Sequence, residues 1–573
     1  MHPDMYYKPH ASPAYGCHRK VKGSSEEKSM VGIYGAMRTN CDSPFALINA
    51  TFDWLEDNLK NEVDFVIWTG DSARHDNDER IPRTNKEVWG LNELMAKKMM
   101  QVFGDPEKDD WAVPIVPTVG NNDILPHNVM VAGPTSTIRY YLQLWSKFIP
   151  ATQYHVFNRG AYFWKQVLPG SPPHGKVPGK GGLAVMSLNT MYFFQNNGAV
   201  DGCDIESEPG YLEMEWLRAQ LELMRTENMK VILIGHVPPA RVKDAFEDTW
   251  RKRNWDETCW KKYALYTRQF RDIIVANIYG HMNLDHFILT DTNDALPPKK
   301  HKKKKTLSDP NDFSIESAGD YLTSLRAEFE RLPKVTGAEE DDLTLHKLSE
   351  RYSLALVSPS VVPNYFPTLR VFTYNTTDLH IPEQGGREAQ TEDVVHTSDV
   401  HINKKKKDKK KPKKPTMPPG PPEGSLPGPA YSPQTFSLLG YTQYFANITE
   451  YNKRPDRFTY NVEYDTRTDE EYAFALKDGL TVRNFIRLAK GMVDARKIGR
   501  PEDTDLLDDD EVDGLNQELE FEVDATKKDK KKDKKKKNKG RKGGSNPEKD
   551  RLWDIFIKRA FTCAVPDEEL QYI

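Results

Sequence analysis

The chain has 573 residues, with 81 Lys and Arg against 85 Asp and Glu, and its formal net charge is -4 at pH 7. Three lysine-rich segments, 299–305, 404–414 and 527–542, contain 27 of the basic residues, so the rest of the chain is strongly acidic, with 54 basic and 82 acidic residues. This balance excludes the domain-wide basic surface that is typical of nucleic-acid-binding proteins, and we expect no specific nucleic-acid partner.

A chain of this length has room for three or four domains of about 100–200 residues each. The lysine-rich and proline-rich stretches cannot form a core, however, so we expect one large domain and a smaller C-terminal portion. No run approaches the ~18 consecutive apolar residues that a membrane-spanning helix needs. The first residues, MHPDMYYKPH, do not have the pattern of a signal peptide.

The cysteines and the glycosylation sequons bear on the cellular compartment. None of the five cysteines has C-x-x-C spacing, which disfavours a cysteine-rich zinc site. They have the number for two disulfides with one thiol left over, and the sequence leaves the pairing open. Three N-x-S/T sequons favour a protein of the secretory pathway. They lie at Asn49, Asn375 and Asn447.

The first 290 residues alternate between helix-like and strand-like segments. Apolar residues at 48, 52, 55 and 59 predict an amphipathic helix that begins near Pro44. Further helices are predicted at 85–103, 136–148 and 211–225. Short apolar runs predict buried strands between them, at 63–68, 112–119, 182–188, 231–235 and 273–279. Strands separated by helices predict an α/β layered sheet.

After Asp294 the character of the sequence changes. Apolar spacing predicts a short helix from Leu322 to Leu332, and apolar runs predict strands at 352–357 and 369–374. Segment 376–435 is polar, then lysine-rich, then rich in Pro and Gly, which indicates a disordered linker with no core of its own.

The predicted organisation has one large domain followed by smaller pieces. Residues 1–375 form the large domain, with a lysine-rich insertion at 295–312. The later segments are the linker 376–435, a C-terminal region 436–500, an acidic and then lysine-rich disordered segment 501–546, and a C-terminal segment 547–573 with a helix near 550–561.

Four polar residues each follow a glycine at the end of a predicted strand: Asp71, Asn121, His236 and His281. Ligands of open α/β sheets bind outside the carboxyl ends of the strands, so these side chains are expected to share one crevice. Asp, Asn and His together suit a divalent metal ion. Each residue alone has a plainer interpretation, as a helix cap, a turn residue or a structural histidine. All four at successive strand ends favour the metal site.

The motifs GD at 70–71, GNND at 120–123, GH at 235–236 and GHMN at 280–283 resemble the ordered signature of the calcineurin-like metallophosphoesterases. Longer strings resemble the fungal vacuolar endopolyphosphatases and their relatives, the acid-sphingomyelinase-like phosphodiesterases. These strings occupy 70–78, 120–128, 235–241, 280–287 and 358–372. The resemblance implies a four-layer α/β sandwich, in which two sheets are flanked by helices.

The resemblance also implies a site for two divalent metal ions, with Mn, Mg, Co and Zn as the candidates. Asp71 would bridge both ions. His2 and Asn283 would serve one ion, and three residues would serve the other: Asn121, His236 and His281. Such a pair of ions clamps phosphoryl oxygens and lowers the pKa of a water molecule that becomes the nucleophile.

Three departures from the family pattern modify these expectations. The Asp that the family places two residues before His2 is absent, so we expect that this ligand, the first strand and a signal-anchor helix lie upstream of Met1, through a truncated gene model or an internal start. Asn283 stands where the family has His, which favours harder ions such as Mg²⁺ or Mn²⁺ alongside Zn²⁺ or Co²⁺. Asn122 stands where related enzymes have a proton-donating His.

Because Asn cannot protonate a leaving group, another residue must be the general acid. His75 matches a substrate-facing His of the sphingomyelinase-like relatives and is the first candidate, and His127 is the second. The alternative for both is a supporting hydrogen bond to a carboxylate.

These implications favour hydrolysis of internal phosphoanhydride bonds of inorganic polyphosphate. A polyphosphate leaving group departs more readily than an alkoxide and depends less on a strong acid. The alternatives are a phosphodiesterase for lipid or nucleotide diesters and an inactive polyanion-binding scaffold. The lysine-rich segments either bind polyphosphate or are solvated loops. The resemblance implies a location in the vacuole lumen, with membrane contact only through the upstream anchor, and the oligomeric state stays open.

Overall fold

The computed structural model of the chain describes residues 1–20, 31–105, 110–111, 113–170, 181–243, 250–296, 315–333, 342–377, 379, 416–493 and 551–570. The three lysine-rich segments, most of the predicted insertion 295–312 and the predicted disordered segment 501–546 lie outside these residues. In the described part, no helix combines the length and the apolar character that crossing a membrane requires.

The strands of the described residues are β1 Pro3–Asp4, β2 Ser43–Pro44, β3 Val66–Trp68, β4 Gly104–Asp105, β5 Asp110–Trp111, β6 Ile115–Pro117, β7 Phe163–Leu168, β8 Leu183–Ser187, β9 Lys230–Ile234, β10 Arg241–Lys243, β11 Trp250–Arg253, β12 Ile274–Tyr279, β13 His286–Asp291, β14 Tyr352–Val357, β15 Thr368–Tyr374, β16 Leu438–Phe445 and β17 Asn461–Asp465. The helices are α1 Phe45–Asn58, α2 Asn85–Phe103, α3 Ser136–Leu144, α4 Tyr154–Gly160, α5 Pro209–Thr226, α6 Glu257–Gln269, α7 Ile315–Glu330, α8 Asp342–Ser349, α9 Ile448–Tyr451, α10 Ala473–Leu476, α11 Val482–Val493, α12 Arg551–Ala560 and α13 Asp567–Leu570. Pro44 is the N-cap of α1, so the helix begins where its apolar spacing predicted.

The largest sheet has six strands in the order β13-β14-β12-β9-β8-β7. Its central strands β14, β12, β9 and β8 run parallel, and the two edge strands are antiparallel to their neighbours. The register pairs Ile234 of β9 with Ser187 of β8 and with Ile278 of β12. Because these strands end level with one another, the residues that follow β9 and β12 emerge at the same edge of the sheet.

The remaining long-range strand pairs between described residues form three smaller sheets, and strands β3 and β15 of two of them face the large sheet across a shared cavity as a second layer. Strands β3 and β6 are parallel, with Trp68 opposite Pro117, so the residues after these two strands also emerge side by side. Strands β15, β16 and β17 form an antiparallel sheet, and β1 pairs with β2. Helices α5, α6 and α11 pack against strands of the large sheet, and α1 packs against α2. Helices layered on sheets confirm the predicted α/β class.

A cavity of about 480 Å³ lies between the two layers. Leu183, Ile232 and Ile278 of the large sheet face it, and strands β3 and β15 form much of the opposite wall. Among the described residues, β3 pairs only with β6 and β15 pairs only with β16. At one end, the cavity reaches five of the predicted metal ligands: His2, Asp71, His236, His281 and Asn283.

The C-terminal portion is built into the large domain. Strand β16 pairs with β15 along its length, from Thr368 opposite Phe445 to Tyr374 opposite Leu438. Residues 416–435 correct the prediction of a linker without a core. Tyr431 is buried there, and its hydroxyl donates to the backbone oxygen of Tyr352 in the large sheet. The Pro- and Gly-rich composition indicated disorder, but extended chain packs against a sheet when it contributes a buried aromatic side chain.

Helix α12 covers almost the same residues as the helix predicted at 550–561. Its buried face, which includes Trp553 and Phe556, packs in the same core as Phe287, Phe329 and Phe485. Helix α12 therefore contributes to the main core and is not an appendage.

A buried polar cluster joins the C-terminal strands to the loop after β12. Asp285 accepts hydrogen bonds from Arg370, Gln443 and Tyr464. The Gln443 amide also donates to Glu463, at 2.9 Å. Burial raises the pKa of Glu463 from 4.5 to about 7. The carboxyl group of Glu463 is therefore protonated more readily in the folded chain than in the unfolded chain.

This raised pKa predicts a pH-dependent stability. The folded state binds more protons than the unfolded state between pH 4.5 and about 7, so the free energy of unfolding should fall as pH rises through this window. Glu463→Gln removes the ionisable group and should flatten that part of the profile, measured by thermal melting between pH 4.5 and 7.5. Glu470→Gln, at an exposed position in the same region, is the control and should keep the slope of the unmodified chain. An unchanged slope in Glu463→Gln would contradict the prediction.

Two disulfides join Cys17 to Cys41 and Cys203 to Cys259. Cys563 is exposed and is not in a disulfide. The structure thus selects one pairing from those that the sequence left open.

Candidate metal centre

The predicted site residues come together at the carboxyl ends of strands from both layers. Asp71 and Asn121 follow β3 and β6, whereas His236 and His281 follow β9 and β12. Four of the six predicted ligands have left-handed backbone conformations, with φ of 49° at His2, 56° at Asp71, 71° at His281 and 54° at Asn283. Such conformations cost about 1–3 kcal/mol each for residues other than glycine, and they cluster at functional sites.

The glycines before these residues allow two loops to approach each other closely. A Cβ atom at Gly70 would lie 2.7 Å from the backbone nitrogen of Gly120. A Cβ atom at Gly120 would lie closer than 3.0 Å to the Asp71 carboxylate and backbone nitrogen. Both positions therefore require glycine if Asp71 is to stay beside the loop that carries Asn121.

Gly120→Ala should consequently displace Asp71. We expect a loss of about 1–3 kcal/mol in the free energy of unfolding, because the close approach leaves no room for a methyl group. We also expect Mn²⁺ binding to weaken by about tenfold. Gly90→Ala is the control, since a Cβ atom at Gly90 in α2 meets nothing within 4 Å. That helical substitution should stabilise the chain by up to about 1 kcal/mol. Equal melting temperatures for the two variants would contradict the interpretation.

Asp123 holds the same two loops together. Its carboxylate accepts hydrogen bonds from the backbone nitrogens of Asp71, Ser72 and Gly120 and from the side chain of Asn92, at distances of 2.6–3.1 Å. Asp123 is the last residue of the motif GNND at 120–123, but its position in the sequence indicated only that it forms part of a turn.

One cluster of ligand atoms consists of Asp71, Asn121, His236 and His281. The Oδ1 atom of Asn121 lies 2.8 Å from Nε2 of His236 and 2.9 Å from Nδ1 of His281. Nε2 of His236 is also 3.1 Å from Oδ2 of Asp71. The ligand atoms of Asp71, His236 and His281 all lie within 4.8 Å of one another. This is the set that the family resemblance assigned to one ion, with Asp71 as the bridge.

The hydrogen bonds of two histidines make this arrangement suitable for a cation. Nδ1 of His236 lies 2.7 Å from the Thr69 carbonyl oxygen, and Nδ1 of His2 lies 2.9 Å from the Ala73 carbonyl oxygen. A carbonyl accepts only, so each Nδ1 carries a proton, and in the neutral form of each ring the lone pair of Nε2 points toward Oδ2 of Asp71. Lone pairs that converge on a carboxylate oxygen repel one another unless a cation lies between them, so the residues fit divalent metal ions.

The electrostatics around Asp71 differ from one histidine to another. Burial lowers the pKa of His2 to about 4 and the pKa of His281 to about 3, which keeps both imidazoles neutral and able to bind metal near neutral pH. Burial opposes ionisation of Asp71, but the protonated forms of His236 and His2 outweigh it and hold the pKa of that carboxyl well below its usual range. Burial also disfavours the imidazolium form of His236, but the Asp71 carboxylate outweighs it and raises the pKa of His236.

A second cluster consists of His2, Asp42 and His75, whose ligand atoms also lie within 4.8 Å of one another. Asp42 is buried and forms two hydrogen bonds to His75, one with Nδ1 and one with the backbone nitrogen, both at 2.6 Å. The His75 ring stacks on His2, with ring centroids 3.9 Å apart. Burial disfavours the imidazolium form of His75, but the Asp42 carboxylate outweighs it and raises the pKa of His75.

His127, the second candidate acid, has a different environment. Its Nε2 atom lies 2.9 Å from Nδ2 of Asn121, which can only donate, so this ring nitrogen is the acceptor. Burial and the neighbouring Arg83 lower the pKa of His127 to about 4. The geometry favours a supporting role for His127, in which it orients the amide of Asn121.

The sequence did not indicate the parts played by Asp42, Asp123 and Arg83. Asp42 precedes α1 and is separated from His75 by 33 positions, and no periodicity or motif links the two. Asn283 lines the same cavity as His2 and Asp71.

Comparison with known proteins defines the class of this chain. A family model described as calcineurin-like phosphoesterase matches residues 17–282, so the chain is a hydrolase with the predicted metallophosphoesterase fold. An endopolyphosphatase of Neurospora crassa is 38% identical to it, and the match covers 100% of this chain and 91% of the relative. Endopolyphosphatases of Schizosaccharomyces pombe and Saccharomyces cerevisiae are 37% and 31% identical and are covered over 83% and 81% of their lengths. The chain therefore belongs to the endopolyphosphatase family of the calcineurin-like phosphoesterases.

Proposed function

We propose that the chain cleaves inorganic polyphosphate at internal phosphoanhydride bonds, with two divalent metal ions as cofactors. The observation that carries this proposal is the contact of His2 and His236 with the Asp71 carboxylate, together with Asn121 and His281 packed against His236, in a chain whose relatives are named endopolyphosphatases. Two bound divalent ions would supply charge stabilisation for the phosphoryl oxygens and acidify a water molecule.

The proposed ligands are assigned to the two metal ions as follows. Asp71 would serve both ions, and the proposal is supported by its Oδ2 atom, which lies 3.3 Å from Nε2 of His2 and 3.1 Å from Nε2 of His236. His2 and Asn283 are assigned to one ion. The remaining ligands, Asn121, His236 and His281, are assigned to the other. The donor set does not choose between Mn²⁺, Mg²⁺, Co²⁺ and Zn²⁺, although its oxygen ligands suit the harder ions.

His75 is the proposed general acid. Asp42 holds it through Nδ1, which leaves Nε2 as the ring atom that can give a proton to a leaving oxygen. The His75 side chain is 29% exposed, whereas the Asp42 side chain is 4% exposed, so a substrate can reach the acid but not its support. His75 also stacks on His2 and therefore lies beside the metal ligands.

The substrate is tested with the purified full chain, long-chain polyphosphate and Mn²⁺ or Mg²⁺. Gel electrophoresis should show progressive shortening of the chains before orthophosphate accumulates. A chromogenic phosphodiester is the comparison substrate, because a sphingomyelinase-like enzyme would hydrolyse it. Turnover of the diester alone would overturn the assignment of the substrate, and early release of orthophosphate would overturn the internal cleavage.

The same proposal includes a location in the lumen of the vacuole, with glycosylation at Asn49, Asn375 and Asn447. Two disulfides support an oxidising compartment, because disulfides persist in secreted and lumenal proteins and are rare in the cytosol. Asn49 is exposed on α1, where a glycan would extend into solvent.

The location is tested in a fungal host by tagging the chromosomal gene at its 3′ end, so that any coding sequence upstream of Met1 is expressed together with the chain. Endoglycosidase treatment should increase the gel mobility of the wild-type chain, and Asn→Gln substitution at the three sequons should remove that shift. Fluorescence microscopy of a tagged chain reports on the vacuole. Alkaline carbonate extraction tests the membrane anchoring that the family resemblance implies. A cytosolic, unglycosylated chain would overturn this part of the proposal.

A further inference from the structure

Asn122, which stands where related enzymes have a histidine, holds the carboxylate of Asp71. Its backbone nitrogen donates to Oδ1 of Asp71 at 2.9 Å, and its side-chain Nδ2 donates to Oδ2 at 3.0 Å. Asn122 is buried, with 1% of its surface exposed. One residue thus fixes both oxygens of the carboxylate that is proposed to bridge the metal ions.

This function requires one particular orientation of the Asn122 amide. If the amide were turned over, Oδ1 would face Oδ2 of Asp71, and two acceptors would meet at hydrogen-bond distance. Two acceptors cannot form a hydrogen bond, so Asp71 would lose a donor and move away from that contact. The orientation of the amide therefore controls the position of the carboxylate.

Arg83 determines which way the amide faces. Its Nη1 atom donates to Oδ1 of Asn122 at 3.1 Å, and its Nη2 atom donates to the backbone oxygens of Asn122 and Ile124 at 2.6 and 3.0 Å. A guanidinium group has donors only, so the amide atom that faces Arg83 must be the oxygen. The NH₂ group of Asn122 is then left to face Asp71.

The hydrogen bonds of Arg83 do not offset the free-energy cost of burying its charged side chain. Only 6% of the residue is exposed, and its Nε atom has no hydrogen-bond partner in the part of the chain that the structure describes. A buried donor without a partner costs about 1–3 kcal/mol. The three oxygens that Arg83 does contact are neutral, although Asp71 and Asp123 act on its charge from further away.

We propose that Arg83 is a positioning residue, which fixes the amide of Asn122 and thereby holds the Asp71 carboxylate in the orientation that binds metal. The inference rests on the proposed function, because it assumes that Asp71 is a metal ligand. It assigns a role to two residues for which the family pattern offers none, and it explains how Asn122 contributes without acting as an acid.

The experiment measures Mn²⁺ affinity in the full-length chain, from the electron paramagnetic resonance signal of the free ion. Arg83→Met, which has no donor, should weaken Mn²⁺ binding by about 10–100-fold. Arg83→Lys, which can also only donate, should restore most of the affinity. Arg225→Met is the matched control, because Arg225 pairs with Asp272 near the amino end of β12, away from the site. Its Mn²⁺ affinity should equal that of the wild-type chain.

A double-substitution cycle separates positioning from a general loss of structure. If Arg83 acts through Asn122, the chain with both Arg83→Met and Asn122→Ala should bind Mn²⁺ no more weakly than Asn122→Ala alone. In polyphosphate cleavage, kcat should fall more than KM changes, since the substitution disturbs the metal site and leaves the rest of the cleft in place.

Other Mn²⁺ affinities would contradict either the role of Arg83 or the metal site itself. Wild-type Mn²⁺ affinity in Arg83→Met, or independent losses that add in the double variant, would overturn the inference while the proposed function stands. If Arg83→Met does not fold, the Mn²⁺ affinities of Asn122→Ala and Arg83→Lys are measured instead. Wild-type affinity in Asn122→Ala would then overturn the inference. A wild-type chain that binds no Mn²⁺, Mg²⁺, Co²⁺ or Zn²⁺ overturns both proposals.

Discussion

Asp71→Asn should reduce the rate of polyphosphate cleavage by about a thousandfold, which corresponds to about 4 kcal/mol of lost stabilisation of the transition state. The reason is that one carboxylate contacts the ligand atoms of both clusters: Nε2 of His2 at 3.3 Å and Nε2 of His236 at 3.1 Å. An amide has the same shape as the carboxylate but carries no negative charge. Its NH₂ group would also donate to the Nε2 lone pairs of His2 and His236, which a metal ion would otherwise bind. The measurement is kcat with long-chain polyphosphate at saturating Mn²⁺.

Asp76→Asn is the matched control for this substitution. Asp76 lies in the same loop and is exposed, so the same chemical change there should alter the rate by no more than about twofold. Thermal melting in a metal chelator should show that Asp71→Asn remains folded, so that a lost rate reports on the site. A rate within tenfold of the wild-type value would contradict the assignment of Asp71 as the bridging ligand.

His75→Gln should have the second largest effect, because it removes the proposed proton donor. General acid catalysis is worth about 10²–10⁴-fold in rate. We expect about 10²-fold for polyphosphate, since the phosphoanhydride leaving group is acidic and needs less assistance. If the chain also hydrolyses a phosphodiester, the loss for that substrate should be larger, because an alkoxide leaving group depends more on protonation.

Asp42→Asn tests the support of His75 separately from its acidity. The amide keeps the shape of the Asp42 side chain but loses the charge that raises the pKa of His75. We expect a loss of about 10–100-fold, which is smaller than the loss from His75→Gln. Combining the two substitutions should add little to His75→Gln alone, because Asp42 acts through His75. His155→Gln, at an exposed position on α4, is the control and should leave the rate unchanged. A larger effect of Asp42→Asn than of His75→Gln would contradict this assignment.

The sequence by itself determined the class of fold and most of the proposed ligands. The alternation of strands and helices predicted the α/β sheet, and glycines before Asp71, Asn121, His236 and His281 marked the strand ends that carry polar side chains. These signals are local, because strand ends and tight turns depend on residues that are neighbours in the sequence. The parallel register of β8, β9 and β12 then followed from topology, and it is why residues more than 40 positions apart meet at one edge.

Only the tertiary structure decided the supporting contacts. Asp42 reaches His75 from the start of α1, Arg83 reaches Asn122 across 39 positions, and Tyr431 fixes a Pro- and Gly-rich stretch to the large sheet. None of these contacts has a period or a spacing that a sequence displays, because each depends on where two loops lie after the sheets have packed. The near-neutral net charge, in contrast, is resolved by the sequence itself into an acidic body and three lysine-rich segments. The acidic body has a buried carboxylate, Asp71, at the centre of its site, where the proposed metal ions would supply the positive charge that a polyanionic substrate requires.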